Sequence, residues 1–327
     1  MKLLEQARDA CRSAPRRIVF ADAVDVRLLH AANDLKNQGL AEPILIGNPF
    51  ELRDCAHRAG IPMPCLTIVD PLRTSCEQPF AKRYQEIHAS KQVSLEEAVS
   101  LIHQPLFHAA MMVDRGMADI CIAGNISTTG DVIRAALKVI GVAEGQKTVS
   151  SFFMMASPDS ENILSFADAG VIPEPTSEQL ADIAIDAAHN YERLVGEPAR
   201  VAMLSFSSKG SSKHPAAVKV ADAVNMIRQR QPDLIMDGEL QFDAAVVPSV
   251  AAQKAPQSPL GGMANVFVFP SLNAGNIGYK IAQRLGNYIA LGPLLQGLKK
   301  PMHDLSRGCS ADDIVDISVL ASAMVKT

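Results

Sequence analysis

The chain has 327 residues, a formal net charge of -4 from 31 basic and 35 acidic side chains, and 48% apolar residues. That composition excludes disorder as the main state, and the length predicts two domains with their own cores. No run approaches the roughly 18 uncharged apolar residues of a membrane span. No Lys/Arg block offers a nucleic-acid surface, and the opening MKLLEQARDACRSAPRR lacks the apolar core of a secretion signal, so a cytoplasmic location is expected.

In chain order, an amphipathic helix is predicted near Leu3–Arg12, followed by short β-branched runs that read as buried strands. These are Arg17–Phe20, Ile44–Ile46, Thr67–Val69, Asp119–Ile122, Val201–Phe206, Leu234–Met236 and Val266–Phe269. Between them lie stretches with apolar spacing of three and four. In the clearest, Thr176 and Gln179 form a capping box, Leu180, Ile183, Ala184, Ala187, Ala188 and Tyr191 make one face, and Gly196 stops the helix. The Pro-rich segment Val171–Thr176 before it reads as a turn. Strands alternating with helices predict an α/β fold with a largely parallel sheet covered on both faces, whose ligands sit beyond the carboxyl ends of the strands. Gly141–Lys147 lacks apolar periodicity and marks a domain boundary.

Cys11, Cys55, Cys65, Cys76, Cys121 and Cys309 form no CxxC pair, and no Cys/His group has zinc spacing. Free thiols in a reducing compartment are expected, and no metal site.

Four segments carry candidate chemistry, each with a plainer alternative. Asp119–Gly130 runs from a strand into Ser127, Thr128 and Thr129 at a helix start, with Arg134 in the first turn. Amides, hydroxyls and a guanidinium there suit a phosphate; a helix cap with a surface arginine is the other reading. Val201–Lys213 leads a strand into a loop of Ser207, Lys209 and Gly210. It is an anion site or a flexible polar loop, and it is not a P-loop. Asn273–Arg284 puts Asn276 at a helix start and Lys280 and Arg284 on one helix face, for an anion or for solvent. In His303–Val315, Ser310 and Asp313 match a capping box, and Cys309 lacks an identifiable histidine partner. Together they describe a two-domain α/β enzyme for phosphorylated or otherwise anionic small molecules.

Asp237-Gly-Glu-Leu-Gln-Phe-Asp-Ala-Ala245, Gln253-Lys-Ala-Pro256, Phe269-Pro-Ser-Leu-Asn-Ala-Gly-Asn276, Gly292-Pro-Leu-Leu-Gln-Gly297 and Asp304-Leu-Ser-Arg-Gly308 resemble the signature stretches of the phosphate acetyltransferase family. Segments 275–286 and 302–310 are most similar to its ethanolamine-utilisation type. The resemblance spans nearly the whole chain, densely from Asp119 onward. It implies a two-domain, three-layer αβα fold of the isocitrate/isopropylmalate dehydrogenase kind, a homodimer and an active site in the interdomain cleft. The implied domains are 1–147 with 301–327, and 148–300. It implies the reaction acetyl-CoA + phosphate ⇌ acetyl phosphate + CoA, with no cofactor besides these substrates.

Carried over residue by residue, Asp313 matches the base that takes the CoA thiol proton, and Ser306 the hydroxyl that steadies the oxyanion. Arg307, Arg284 and Arg134 match arginines associated with CoA or phosphate. Ser127, Thr128, Thr129, Lys280, Asn276 and Ser207 complete the expected binding set. One departure is His88, which stands where common members carry arginine and puts that position's role in doubt. The subtype raises a bacterial microcompartment as a location, with the first helix either a shell-targeting peptide or, as preferred here, an ordinary helix. A butyryl-specific transferase, a dehydrogenase of the related fold and a non-catalytic scaffold are the alternatives.

Overall fold

A computed structural model describes residues 1–63, 66–159 and 161–325; Cys65 lies outside the described residues. Up to Glu144 the elements are α1 (Lys2–Ser13), β1 (Arg16–Phe20), α2 (Val26–Asn37), β2 (Ala41–Ile46), α3 (Pro49–Arg58), β3 (Thr67–Val69), α4 (Glu77–Ile87), α5 (Leu95–Ile102), α6 (Pro105–Asp114), β4 (Ile120–Ala123) and α7 (Thr129–Val139). Next come β5 (Ser150–Ala156), β6 (Ile163–Ala167), α8 (Ser177–Val195), β7 (Val201–Leu204), α9 (Pro215–Arg230), β8 (Met236–Leu240), α10 (Phe242–Val246), α11 (Pro248–Lys254), β9 (Val266–Val268), α12 (Leu272–Leu285) and β10 (Ile289–Gln296). Last are β11 (Met302–Asp304) and α13 (Ala311–Met324). The chain divides into two compact units: Lys2–Glu144 with the segment from Leu298 onward, and Gly145–Gly297.

The first unit is built on a parallel sheet of order β11-β4-β1-β2-β3. Ile18, Val19 and Phe20 of β1 are fully buried, as interior strands of parallel sheets are. Helices α1, α2 and α13 pack together in one layer, and α4 to α7 in another. Helix α1 buries Leu3, Ala7 and Cys11 against α13, where Arg8 pairs with Asp316 at 2.9 Å.

The second unit holds a mixed sheet of order β10-β5-β6-β9-β7-β8, with β5 antiparallel to both its neighbours. Two domains and a largely parallel arrangement are expected from the sequence; among the described residues there are two sheets, one parallel and the other mixed. Helix α8 forms as its spacing predicts. Thr176 and Gln179 make the capping box, and Gly196 adopts a left-handed φ of 78°. The turn before it is held by Asp168, whose carboxylate accepts from the amides of Gly170, Val171 and Ile172.

Four strands escaped the periodicity: β5, β6, β10 and β11. β5 is buried along its whole length and lacks β-branched residues, so it has neither alternation nor composition as a signal. β10 contains Pro293, tolerated because this is an edge strand whose register breaks between Leu291 and Leu294. β8 lies downstream of its expected position because its middle carries Asp237 and Glu239, buried charges that do not read as strand.

If α1 is part of this core, Leu3→Ala should cost about 2–5 kcal/mol, the usual range for a buried leucine. Urea denaturation followed by circular dichroism measures this; unchanged stability would make α1 a peripheral peptide.

Candidate active site

Strands β4, β1 and β11 lie side by side and parallel, so the segments 124–130, 21–27 and 305–310 emerge at one end of the first sheet. Asp22 sits just beyond β1, buried. Its Oδ2 accepts from the amides of Gly124 at 2.8 Å, Ile126 at 3.2 Å and Ser127 at 2.9 Å, and its Oδ1 from the Ser127 hydroxyl at 2.6 Å. A Cβ on Gly124 would fall 2.2 Å from Oδ1 of Asp304 and 2.6 Å from the Leu305 amide, so the ends of β4 and β11 meet there only through glycine. Gly124 also needs a φ of 105°.

Asp304 ends β11 and takes the Thr129 hydroxyl at 2.6 Å. Burial pushes its carboxyl up to about 6, the charge of Asp22 adds to that, and the Thr129 hydrogen bond opposes it. Burial drives its neighbour His303 the other way, down to about 4, which leaves the imidazole neutral at neutral pH.

This wiring corrects one expectation. Ser127, Thr128 and Thr129 were read as donors for a phosphate. A hydroxyl has one proton, and these three give theirs to Asp22, to Asp131 at 2.7 Å and to Asp304. Thr128 also accepts the Asp131 amide and caps α7. The hydroxyl protons of the three residues are therefore spent on these carboxylates. Arg134 is exposed and paired with Asp131, and it lines a cavity of about 410 Å³ together with Asp22, Gln104, Phe107 and Ser127.

The last loop presents its groups to solvent. Ser306 and Arg307 are exposed, and Oγ of Ser306 accepts the Gly308 amide at 3.3 Å. Asp313 is exposed at the start of α13 and does form the capping box: its Oδ2 accepts from the Ser310 amide at 2.8 Å and hydroxyl at 2.9 Å. Among the described residues, Oδ1 of Asp313 has no hydrogen-bond partner, so the cap leaves one oxygen open. Cys309 is buried, and burial pushes its thiol up, away from thiolate character.

Arg27, at the start of α2, ties the three segments together. Its guanidinium holds Asp25 and donates to the carbonyls of Asn125 at 3.1 Å, Arg307 at 2.9 Å and Cys309 at 2.7 Å. Burial alone would raise the Asp25 carboxyl; hydrogen bonds from Arg27 and Asn125, with the Arg27 charge, hold it below its usual range. Asp22 and Arg27 lie outside every candidate segment of the sequence, and Asn125 and Asp304 lie inside two of them without an assigned role. The signal for the first two was the polar pattern Asp22-Ala-Val-Asp25-Val-Arg27 directly after the first strand.

The second unit carries the other candidates. Ser207 is buried, donating to Glu239 at 2.7 Å and accepting from the Ser212 amide at 3.0 Å, so it also serves its loop rather than an anion. Lys209 pairs with buried Asp237 at 2.8 Å. Asn276 donates to the Ala169 carbonyl at 3.1 Å and anchors α12. Lys280 and Arg284 are exposed, Lys280 lying over the Tyr279 ring at 5.7 Å. His88, back in the first unit, bonds the Lys138 carbonyl through Nε2 at 2.8 Å. A carbonyl only accepts, so that nitrogen carries the proton.

The chain matches the phosphate acetyl/butaryl transferase family over residues 2–322. It belongs to that family. A phosphate acetyltransferase of Acetivibrio thermocellus is 40% identical over 330 residues, covering 100% of this chain and 99% of the relative. The EutD phosphotransacetylase from Staphylococcus aureus superposes with a TM-score of 0.90 at 38% identity, covering 98% of each chain. A 4-hydroxythreonine-4-phosphate dehydrogenase from Burkholderia phymatum, 14% identical with a TM-score of 0.53 over 94% of this chain and 96% of the other, shares the fold alone. The dehydrogenase-like α/β architecture expected from the family motifs is therefore present.

Asp304 makes a pH signature. Its proton stays on to about 6 in the folded chain, whereas an unfolded aspartate releases it near ~3.9. The stability of the native protein relative to Asp304→Asn should therefore be greatest below about pH 4 and fall by up to about 3 kcal/mol as the pH rises through 6. Urea titrations of both proteins from pH 4 to 7 test this; a difference independent of pH would remove Asp304 from the titrating groups.

Proposed function

We propose that this chain is a phosphate acetyltransferase, interconverting acetyl-CoA and phosphate with acetyl phosphate and CoA. One observation carries this: an exposed hydroxyl, guanidinium and half-open carboxylate, from Ser306, Arg307 and Asp313, stand on a buried hydrogen-bonded base in a chain of this family. In the direction of acetyl-CoA synthesis, Oδ1 of Asp313 takes the proton as the CoA sulfur attacks the acetyl carbon. An ordinary carboxylate is about 4–5 units more acidic than a thiol, so this transfer accompanies attack rather than preceding it. The C–S bond forms, the Ser306 hydroxyl steadies the carbonyl oxygen, and the C–O bond to phosphate breaks. Arg307 and Arg134 hold the anionic groups in this scheme. Arg284 and Lys280 join them by family resemblance, and CoA enters as a substrate, with no cofactor or metal assigned a role.

The ethanolamine-utilisation type is favoured by segments 275–286 and 302–310 and by likeness to a EutD protein. A homodimer is favoured by Ile277, Ile281 and Leu285, an exposed apolar stripe on α12. Cytoplasmic placement accords with the absence, among the described residues, of any helix long and apolar enough to cross a membrane. A microcompartment address is not assigned to α1, whose apolar stripe is buried on α13.

The direct test is CoA plus acetyl phosphate, followed by the thioester absorbance. Asp313→Asn should lower kcat by about 100-fold with little change in either KM, the scale of a lost general base. Activity within a few-fold of the parent would reduce Asp313 to a helix cap. Arg134→Ala and Arg284→Ala should raise KM for the anionic substrates, and unchanged KM values would remove them from the site. Butyryl phosphate should react more slowly than acetyl phosphate, each added methylene being worth about 1–3 kcal/mol in kcat/KM. A preference for butyryl would select the butyryl alternative.

A further inference from the structure

We propose that Arg27 is a positioning residue for the acyl transfer, fixing through the backbone the loop that presents Ser306, Arg307 and Asp313. The inference rests on the role proposed above for that loop. A guanidinium has five N–H donors in one plane, and Arg27 has an acceptor for each. Nε bonds the Asp25 carboxylate at 3.1 Å and Nη2 bonds it at 2.6 Å. The second Nη2 proton reaches the carbonyl of Asn125, and Nη1 gives its two protons to the carbonyls of Arg307 and Cys309.

Those last two carbonyls flank Gly308 and lie directly before Ser310, the cap of α13. Held by one planar fork from the partly buried Arg27, the loop keeps Cys309 buried and the side chains of Ser306 and Arg307 exposed. The Ser306 amide-linked turn closes the same loop, with the Cys309 amide bonded to the Ser306 carbonyl at 3.0 Å. Arg27 has no hydrogen bond to the Ser306 hydroxyl, the Arg307 guanidinium or the Asp313 carboxylate; its bonds to this loop are to main-chain carbonyls. The fork itself is braced, because Nδ2 of Asn125 also donates to Asp25 at 3.2 Å. A lysine could keep the charge beside Asp25. It could not reach three carbonyls from a single plane.

The experiment compares the full-length parent with Arg27→Lys and Arg27→Ala in the CoA and acetyl phosphate assay, alongside thermal unfolding and rescue by added methylguanidinium. In Arg27→Ala, kcat should fall by about 100-fold, the cost of a roughly 1 Å misplacement of catalytic groups. Both KM values should stay within about threefold. Arg27→Lys should remain well below the parent, and methylguanidinium should raise kcat of Arg27→Ala but not of the parent. Parental kcat in folded Arg27→Lys would overturn the inference. So would a loss confined to KM for CoA, which would make Arg27 a substrate contact, or a loss that merely follows the folded fraction. If Arg27→Ala does not fold, Arg27→Lys decides. An inactive parent would overturn the acetyltransferase reading and this inference with it, whereas an active parent with indifferent Arg27 variants would overturn this inference alone.

Discussion

A carboxylate out of contact with water is tolerated only where donors surround it, and this chain puts such carboxylates just beyond its strands or within their last residues. Asp22 gathers three amides from the segment after β4. Asp168 gathers those of Ser151, Gly170, Val171 and Ile172. Glu239 takes the Gly210 amide and the Ser207 hydroxyl. Each knot satisfies main-chain groups that strand ends leave without partners and makes a loop rigid. The loop of Ser306 and Arg307 is tied to the neighbouring segments through Arg27, whose guanidinium takes the carbonyls of Arg307, Cys309 and Asn125.

Local features were legible and distant ones were not. Helix α8 is written in consecutive residues, with a cap, a three-four apolar spacing and a glycine stop, so it follows from the sequence almost to the residue. The capping box of α13 is equally local. Asp22 and Arg27 are different. Their partners lie 102 and 280 residues away, and no spacing rule connects them. β10 and β8 were obscured because Pro293 and the buried Asp237 are placed by tertiary circumstance, an exposed sheet edge in one case and Lys209 with Arg228 in the other.

The hydroxyl-rich segments carry a related lesson. Serine and threonine at a strand end suit either a bound anion or the loop itself, and composition does not separate the two. What separates them is the destination of a single proton. In Ser127, Thr128, Thr129 and Ser207 that proton is committed to an internal acid. Asp313 shows the converse: a capping role engages one of its two oxygens and leaves the other without a hydrogen bond among the described residues.

The order of the strands also shapes how a nascent chain matures. β4 stands between β1 and β11, yet residues 145–297, a whole second unit, are translated before β11 exists. At common ribosomal speeds that interval lasts roughly 8–30 s. Throughout it one flank of β4 has no strand beside it and α1 has no α13 to cover, while the later unit, being uninterrupted, has every segment it requires as soon as residue 297 is made. The half of the molecule that starts first is therefore finished last.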